Sequence, residues 1–551
     1  MKQKKEYEIV NIAGKLAKGF LYNPLTVVLG TTLLLLGYMA LSTMPREEDP
    51  QIAISGGAVM VALPGATPKE IENVIVKPLE RKLREVRGIE HIYGMSMDNV
   101  GVVNVMYYIG ENREDSNLKL YDKVMQNMDM MPQGVMQPIV KPFDIDIDIP
   151  IVTISFYPKD QSSVDEVALY KVVRTVQQKI NAIDNVAKTT LKGARKEQYN
   201  IQVDMGKLEG YHLSLGQIMQ AVQSVAVNVP DIKGRTDENK LIIFGVKNAI
   251  ESVKDVKNIM VAQYMGSPVY LKDVACVESG IDIQNFQTAS ILFKDEQSEE
   301  SDGQKHTKGG MSDERTQITL TVAKLAGTNA VFVSEDVLEV LNAHKHEFER
   351  LGMGYIVTRN YGERANEAVN ELMHHLIITI VIIALMLVFA LGWRESIIVT
   401  FTVPAILAVT LFVAWMSGQT MNRITLFALL LSLGLLVDAA IIVIENIHRH
   451  LHSHGVEEKE MDALLIEATD EIGAPTNIAT LAIILTMVPM AFVGGMMGSF
   501  MKPIPYNVPV ALVASLFVAY IFTPYLSLKL LKKPEHHEHH DDADTNTEKK
   551  D

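Results

Sequence analysis

The stretch Ile424–Ile447, ITLFALLLSLGLLVDAAIIVIENI, decides how the rest of the chain is read. It is apolar for long enough to cross a bilayer as a helix, which takes about 20 residues. It also carries one carboxylate deep inside the run, Asp438. At about 1.5 Å per residue, Asp438 stands roughly 21 Å along that helix, past its middle but within the hydrocarbon. A charge at the bilayer centre costs about 2.5–3.5 kcal/mol on insertion scales, so such residues usually face a bundle interior and mark ion or proton pathways. The plainer alternative is a carboxylate held neutral by a neighbouring helix for packing alone.

Five further apolar runs flank this one: Leu25–Met44, Leu372–Gly392, Ile397–Ser417, Ala474–Val493 and Val508–Leu530. Each is long enough to span, which gives six transmembrane helices. Internal prolines (Pro404, Pro475, Pro489, Pro509, Pro524) are tolerable where neighbouring helices satisfy the freed carbonyls. Lysines precede the first run, Arg394 lies between the second and third, and Lys529, Lys532 and Lys533 close the sixth. With six spans all of these fall on one side, so the positive-inside rule places both termini in the cytoplasm. The region from Pro45 to about Glu371 is then extracytoplasmic. His448–Glu471, with an acidic helix-like stretch from Glu457, connects the fourth and fifth spans inside the cell. The first run follows a basic start and lacks a small-residue cleavage site, so it reads as a retained anchor.

The chain has 551 residues and a net charge of −15, a balance that argues against nucleic acid as a partner. Cys276 is the single cysteine and excludes an internal disulfide framework. No nucleotide-binding loop, zinc-hydrolase motif or nucleophile elbow is present, so neither ATP-driven nor enzymatic chemistry is indicated, and no cofactor is expected.

The extracytoplasmic block reads as repeated strand–helix–strand units. Alternating Ala58–Leu63 leads to a Pro-Gly turn. Thr67-Pro68-Lys69-Glu70 then opens a helix with Thr at the N-cap, Pro at the first position and Glu at the third. The helix ends near Gly88, and Val102–Ile109 returns as a strand. A second unit has Ile151–Phe156, a capping box at Ser163–Glu166, a helix to about Ile183, and Ala187–Leu191. A third has Gln317–Ala323, a helix over Ala330–Phe348, and Tyr355–Arg359. Strands of period two alternating with amphipathic helices predict small α+β sandwiches, one helical layer on a sheet. Gln198–Asn285 is less regular and reads as a separate insertion. Lys294–Thr316 is polar, rich in Gly and Ser, and reads as a mobile loop.

One amino-proximal span, a large external block of split strand–helix–strand modules and five more spans together resemble the N-terminal half of a resistance–nodulation–division (RND) efflux transporter. Gly434–Ile441 (GLLVDAAI), followed by Glu445-Asn446-Ile447, is similar to that family's proton-relay helix. Pro45–Pro50 (PREEDP), Leu63–Pro68 (LPGATP), Gly392–Ser396 (GWRES) and Asn422–Leu429 (NRITLFAL) match the same group. The resemblance runs from about Lys18 to Lys533. It implies a membrane α-helical bundle of six spans with a large periplasmic α+β region of ferredoxin-like βαβ porter subdomains. Those subdomains would cover 45–149, and 150–197 with 286–371; 198–285 would be docking-like, and 531–551 a disordered cytoplasmic tail. It further implies a bacterial inner-membrane efflux pump of trimeric assembly, with a periplasmic adaptor and an outer-membrane channel as partners, moving amphiphilic small molecules.

Two departures qualify what the resemblance implies. Family members hold two such halves, and their relay lysine lies on a span of the second half. A separate polypeptide or another copy of this one would have to supply it; otherwise the chain is a non-transporting scaffold or regulatory half. The drug-exporting branch carries two adjacent aspartates in the fourth span, whereas here Ala439 follows Asp438. That pattern resembles the heavy-metal-exporting branch, so heavy-metal cation efflux stands as the alternative substrate class.

Within this reading Asp438 is the proton-relay residue. Desolvation favours the neutral form of a carboxylate and a nearby cation favours the charged form, so arrival of a proton separates an Asp–Lys pair and lets the helices shift. Glu445 and Asn446 are candidates for proton exit or relay support. Their alternatives are a boundary charge for Glu445 and a capping or interhelical hydrogen bond for Asn446. Thr425, Thr476 and Thr480 read as hydrogen bonders within the bundle. Two methionine groups (Met128, Met130, Met131 and Met136; Met487, Met490, Met496 and Met497) admit soft-metal passage or, more commonly, flexible apolar filling. His536, His537, His539 and His540 admit zinc or nickel, against a plain solvated tail. Asp144, Asp146 and Asp148 admit calcium, against a polar strand face. No metal site is assigned, and His448, His450, His452 and His454 are given no chemistry.

Overall fold

The computed structural model describes residues 7–531 apart from 53, 144–148, 160–163, 226–231, 236–239, 245–249, 283–286, 302–303, 312–313 and 454–459. The histidine-rich tail, His454, Ser163 and the Asp144–Asp148 group lie outside the described residues. Six long helices match the six expected runs: span 1 Leu25–Thr43, span 2 Tyr361–Ala390, span 3 Trp393–Met416, span 4 Arg423–Leu451, span 5 Met461–Ala491 and span 6 Pro503–Leu530. Spans 2 and 5 begin well before their apolar runs. Span 2 starts directly after the strand Met353–Asn360, where Asn360 Oδ1 accepts from Glu363 N at 3.1 Å. It therefore joins an α+β unit to the bundle without a loop. Span 5 starts at Met461, so the acidic helix-like stretch expected from Glu457 is, from Met461 on, the first turns of the span itself.

Spans 3, 4 and 6 form the interior, with 56%, 56% and 67% of their apolar windows buried against 22%, 17% and 17% for spans 1, 2 and 5. Spans 4 and 6 share a core in which Ala439, Ala440, Ala511, Ala514 and Ala519 stand among larger apolar residues. Small residues let helix backbones approach where lipid offers no hydrophobic drive to associate. The same logic holds at Gly37 of span 1, where a Cβ would fall on Ala408 of span 3. A short amino-terminal helix, Ile12–Phe20, lies against span 5. Asp470 fixes it there: the carboxylate, 1% exposed, accepts from Val10 N at 2.9 Å, Asn11 N at 2.8 Å and the Tyr7 hydroxyl at 3.1 Å.

The first α+β unit is an antiparallel sheet of β1 Gly56–Ala62, β2 Ile89–Met97, β3 Val100–Tyr107 and β4 Ile139–Phe143, in the order β2-β3-β1-β4. Val59, Val61, Val103 and Val105 on one face meet Ile71, Ile75, Leu79 and Leu83 of the helical segment Pro68–Leu83. Thr67 caps that segment as the sequence predicts: its N–H donates to Glu70 Oε2 at 2.8 Å and its hydroxyl accepts from Glu70 N at 3.4 Å. A π turn, Glu72–Val76, precedes Pro78, whose missing N–H removes an α-type bond.

The expected second and third sequence units combine into one sheet, ordered Met353–Asn360, Val152–Pro158, Ile318–Lys324, Val186–Lys192. Helices Glu166–Ile180 and Ala330–Ala343 bury Leu169, Val173, Val176, Val333, Val337 and Leu341 on its face. The first of these helices departs from expectation at its start. Asp165 takes the N-cap position, and the Glu166 carboxylate is held by Arg195 at 2.7 Å. The irregular stretch is a compact unit too. Glu197–Val203 pairs antiparallel with Ala275–Ile281, and Leu208, Ile218, Val256, Leu271 and Val274 form its own core. In place of the expected loop, Lys294–Ser301 and Gln304–Met311 pair as an antiparallel hairpin.

Candidate functional site

Span 4 presents two different faces. Leu436, Ala440, Val443 and Ile447 are fully buried in the bundle. The opposite stripe, Phe427, Leu431, Gly434, Asp438, Ile442, Glu445 and Arg449, is exposed along the length of the helix. Spacings of three and four keep these residues on one line. A Cβ at Gly434, one turn from Asp438, would meet nothing within 4 Å. Asp438 thus faces out of the six-helix bundle, whereas the sequence predicts it inside. The reason lies in its neighbours: the apolar residues Leu433, Leu436, Ala440, Val443, Ile444 and Ile447 pack into the bundle, and the carboxylate is left opposite. Asp438 has no hydrogen bond or ion pair to another described residue.

Glu445 falls on the same stripe, about 10 Å further along the helix. Asn446 does not. It is 7% exposed, and its Nδ2 donates to Ala468 O at 2.7 Å and to Glu471 Oε2 at 3.2 Å, tying span 4 to span 5. It makes the interhelical hydrogen bond expected under one of the readings weighed for it. Thr425 hydrogen-bonds locally, to Thr420 O at 3.1 Å.

Two of the histidines left without a role, His448 and His450, make hydrogen bonds to carboxylates at the same end of span 4. His448 Nδ1 lies 3.1 Å from Glu395 Oε1 in the first turn of span 3. His450 Nε2 lies 2.7 Å from Glu471 Oε2, and Arg449 donates to Glu471 Oε1 at 2.9 Å. Among the described residues no group of three or more His, Cys, Asp or Glu side chains is placed to hold a metal ion.

A six-span helical membrane protein, with paired α+β units inserted after its first span and an aspartate on an uncovered face of its fourth, has the architecture of half an RND transporter. Comparison with known proteins agrees. The family model for the AcrB/AcrD/AcrF family matches residues 16–290 and 281–548, and the chain belongs to that family. It is 26% identical over 538 residues to the toluene efflux pump membrane transporter TtgB of Pseudomonas putida, covering 95% of this chain and 48% of that protein. It is similar at the same identity and coverage to the antibiotic efflux pump membrane transporter ArpB of the same organism. The swarming motility protein SwrC of Bacillus subtilis is 25% identical over 535 residues, with 90% of this chain and 48% of that protein covered. The chain spans about half the length of the curated relatives it matches.

Proposed function

We propose that this chain forms half of a proton-driven efflux transporter in the bacterial inner membrane, with Asp438 as the residue that takes up and releases the proton. The observation that carries the reading is the exposed stripe of span 4. A carboxylate left facing lipid at that depth costs about 2.5–3.5 kcal/mol, so the stripe calls for a protein cover. A second six-span unit, a further polypeptide or another copy, seats on Phe427, Leu431 and Gly434 and brings a cation against Asp438. Protonation then releases the cation and shifts the packing of the two units, a two-state change biased by the proton gradient. Glu445, on the same line, stands at the proton exit, and Asn446 supports the helix from behind.

The α+β units are the porter and docking subdomains and lie in the periplasm, with both termini in the cytoplasm. Trimeric assembly, a periplasmic adaptor and an outer-membrane channel complete the pump. The names of TtgB and ArpB support organic substrates, amphiphilic small molecules. Ala439 beside Asp438 favours the second reading, metal-cation efflux. Replacing Asp438 with Asn is expected to abolish substrate transport in proteoliposomes carrying a pH gradient, while subunit assembly stays intact. Transport retained by that variant would refute the proton role.

A further inference from the structure

The segment Pro45–Gln51 (PREEDPQ), directly after span 1, runs between the bundle and the second α+β unit and is bonded to both. Toward the bundle, Pro45 O accepts from Met421 N at 2.8 Å, Glu47 N donates to Met421 O at 3.0 Å, and Glu48 O accepts from Arg423 N at 3.1 Å. Arg423 also pairs with the Glu48 carboxylate. Toward the α+β unit, Arg46 O accepts from Ala330 N at 3.0 Å, and Gln51 Oε1 accepts from Gly327 N at 2.9 Å. Arg46 Nη1 reaches Asn366 Oδ1 of span 2 at 2.7 Å. At the centre is an ion pair, Lys324 Nζ to Glu47 Oε1 at 2.6 Å, whose side chains are 4% and 3% exposed. The other oxygen of Glu47 accepts from the Thr420 hydroxyl at 3.1 Å. One buried carboxylate therefore holds the end of a central sheet strand and the loop that starts span 4.

We propose that Glu47 and Lys324 are the positioning pair through which movement of span 4 reaches the second α+β unit. This rests on the reading of Asp438 as the proton site. Span 4 carries no interior proline, unlike spans 3, 5 and 6, so its first turn and Asp438 move as one rod. Asn422 caps that rod, its Oδ1 accepting from Thr425 N at 2.9 Å, and its Nδ2 grips Thr420 O at 3.2 Å. A displacement at Asp438 passes to Thr420 and from there to Glu47. Lys324 lies at the end of Ile318–Lys324, which pairs with strands on both sides, so a pull on its ammonium is delivered to the whole sheet. A buried ion pair is a poor source of stability compared with apolar packing, but it fixes a register, since each charge is costly once separated from the other. The pair touches neither proton nor substrate.

The test uses the full chain purified from its native membrane and hydrogen–deuterium exchange. Asp438→Asn serves as the permanently neutral state, compared in unaltered, Glu47→Gln, Lys324→Met and charge-swapped (Glu47→Lys with Lys324→Glu) backgrounds. In the unaltered background, Asp438→Asn is expected to change exchange several-fold both at the start of span 4 and across Ile318–Ala343. In either single variant the change at span 4 persists and the change across Ile318–Ala343 is lost, and the charge swap restores it. An undiminished change across Ile318–Ala343 in both single variants would overturn the coupling role. So would failure of the swap to restore it while the swapped protein keeps the parent's thermal midpoint. If Asp438→Asn changes exchange at neither place, the proton reading falls first and this inference with it.

Discussion

Asp438, Glu47 and Asp470 are three carboxylates on or beside the helical bundle, and they differ in what meets them. Asp470 is met by backbone and hydroxyl donors, Glu47 by an ammonium, and Asp438 by no other described residue. The first two are complete within the chain, which is why the third stands out as the group that needs something from outside. Removing a buried acceptor that serves several donors costs about 1–3 kcal/mol per donor left unpaired. Asp470→Ala is therefore expected to free the amino-terminal helix, seen as faster exchange over Ile12–Phe20; unchanged exchange there would show that its apolar contacts suffice. Burial, and then the hydrogen bond to Asp470, raise the Tyr7 hydroxyl above its ordinary value of 10.0. A raised tyrosine contributes stability that is fully present below its unfolded value and is lost as pH rises through the folded one. The grip on the amino-terminal helix should accordingly hold to about pH 10 and loosen above it. Tyr7→Phe should remove that alkaline step from the exchange profile.

At the scale of elements, what the sequence announced and what it hid divide along physical lines. The six spans were legible because a run of apolar residues has one meaning in a bilayer, and Thr67-Pro68-Lys69-Glu70 was legible because a capping box is local chemistry. Thr67→Ala is expected to cost about 1 kcal/mol, read as a lower thermal midpoint with the α+β fold retained. The start of span 2 was displaced because Tyr361–Glu371 is polar on its exposed side and helical all the same. The strands Ile89–Met97 and Ile139–Phe143 escaped because edge strands of a half-covered sheet lack a clear apolar alternation. Of the capping box expected at Ser163–Glu166, Ser163 lies outside the described residues, and Glu166 is held by a distant residue, Arg195, a contact that no local pattern records. Of the site, Asp438 was visible as a charge in an apolar run, but its direction was not, since that depends on which face span 6 covers. Lys324, directly after the expected strand Gln317–Ala323, was not singled out, and its partner Glu47 was noticed only within the PREEDP stretch as a family match, because a pairing between residues so distant in sequence leaves no local pattern. Close packing also sets a limit here: Gly37→Val should cost about 1–3 kcal/mol by overpacking spans 1 and 3. A midpoint unchanged by that substitution would mean that the two helices separate freely.

For the whole molecule, the decisive feature is asymmetry of covering. Spans 3, 4 and 6 are buried by their neighbours, yet one line of span 4 stays bare and holds that helix's one ionisable residue far from either end. Lipid alone is a poor cover for that line, and the proposed transport cycle turns on what replaces it. A photoreactive side chain at Leu431, two turns from Asp438 on the exposed stripe, would identify the cover in native membranes. The account predicts a crosslink to a second six-span unit, a homologous polypeptide or another copy of this chain, and loss of substrate transport on illumination. Lipid adducts alone, with transport unimpaired, would contradict it.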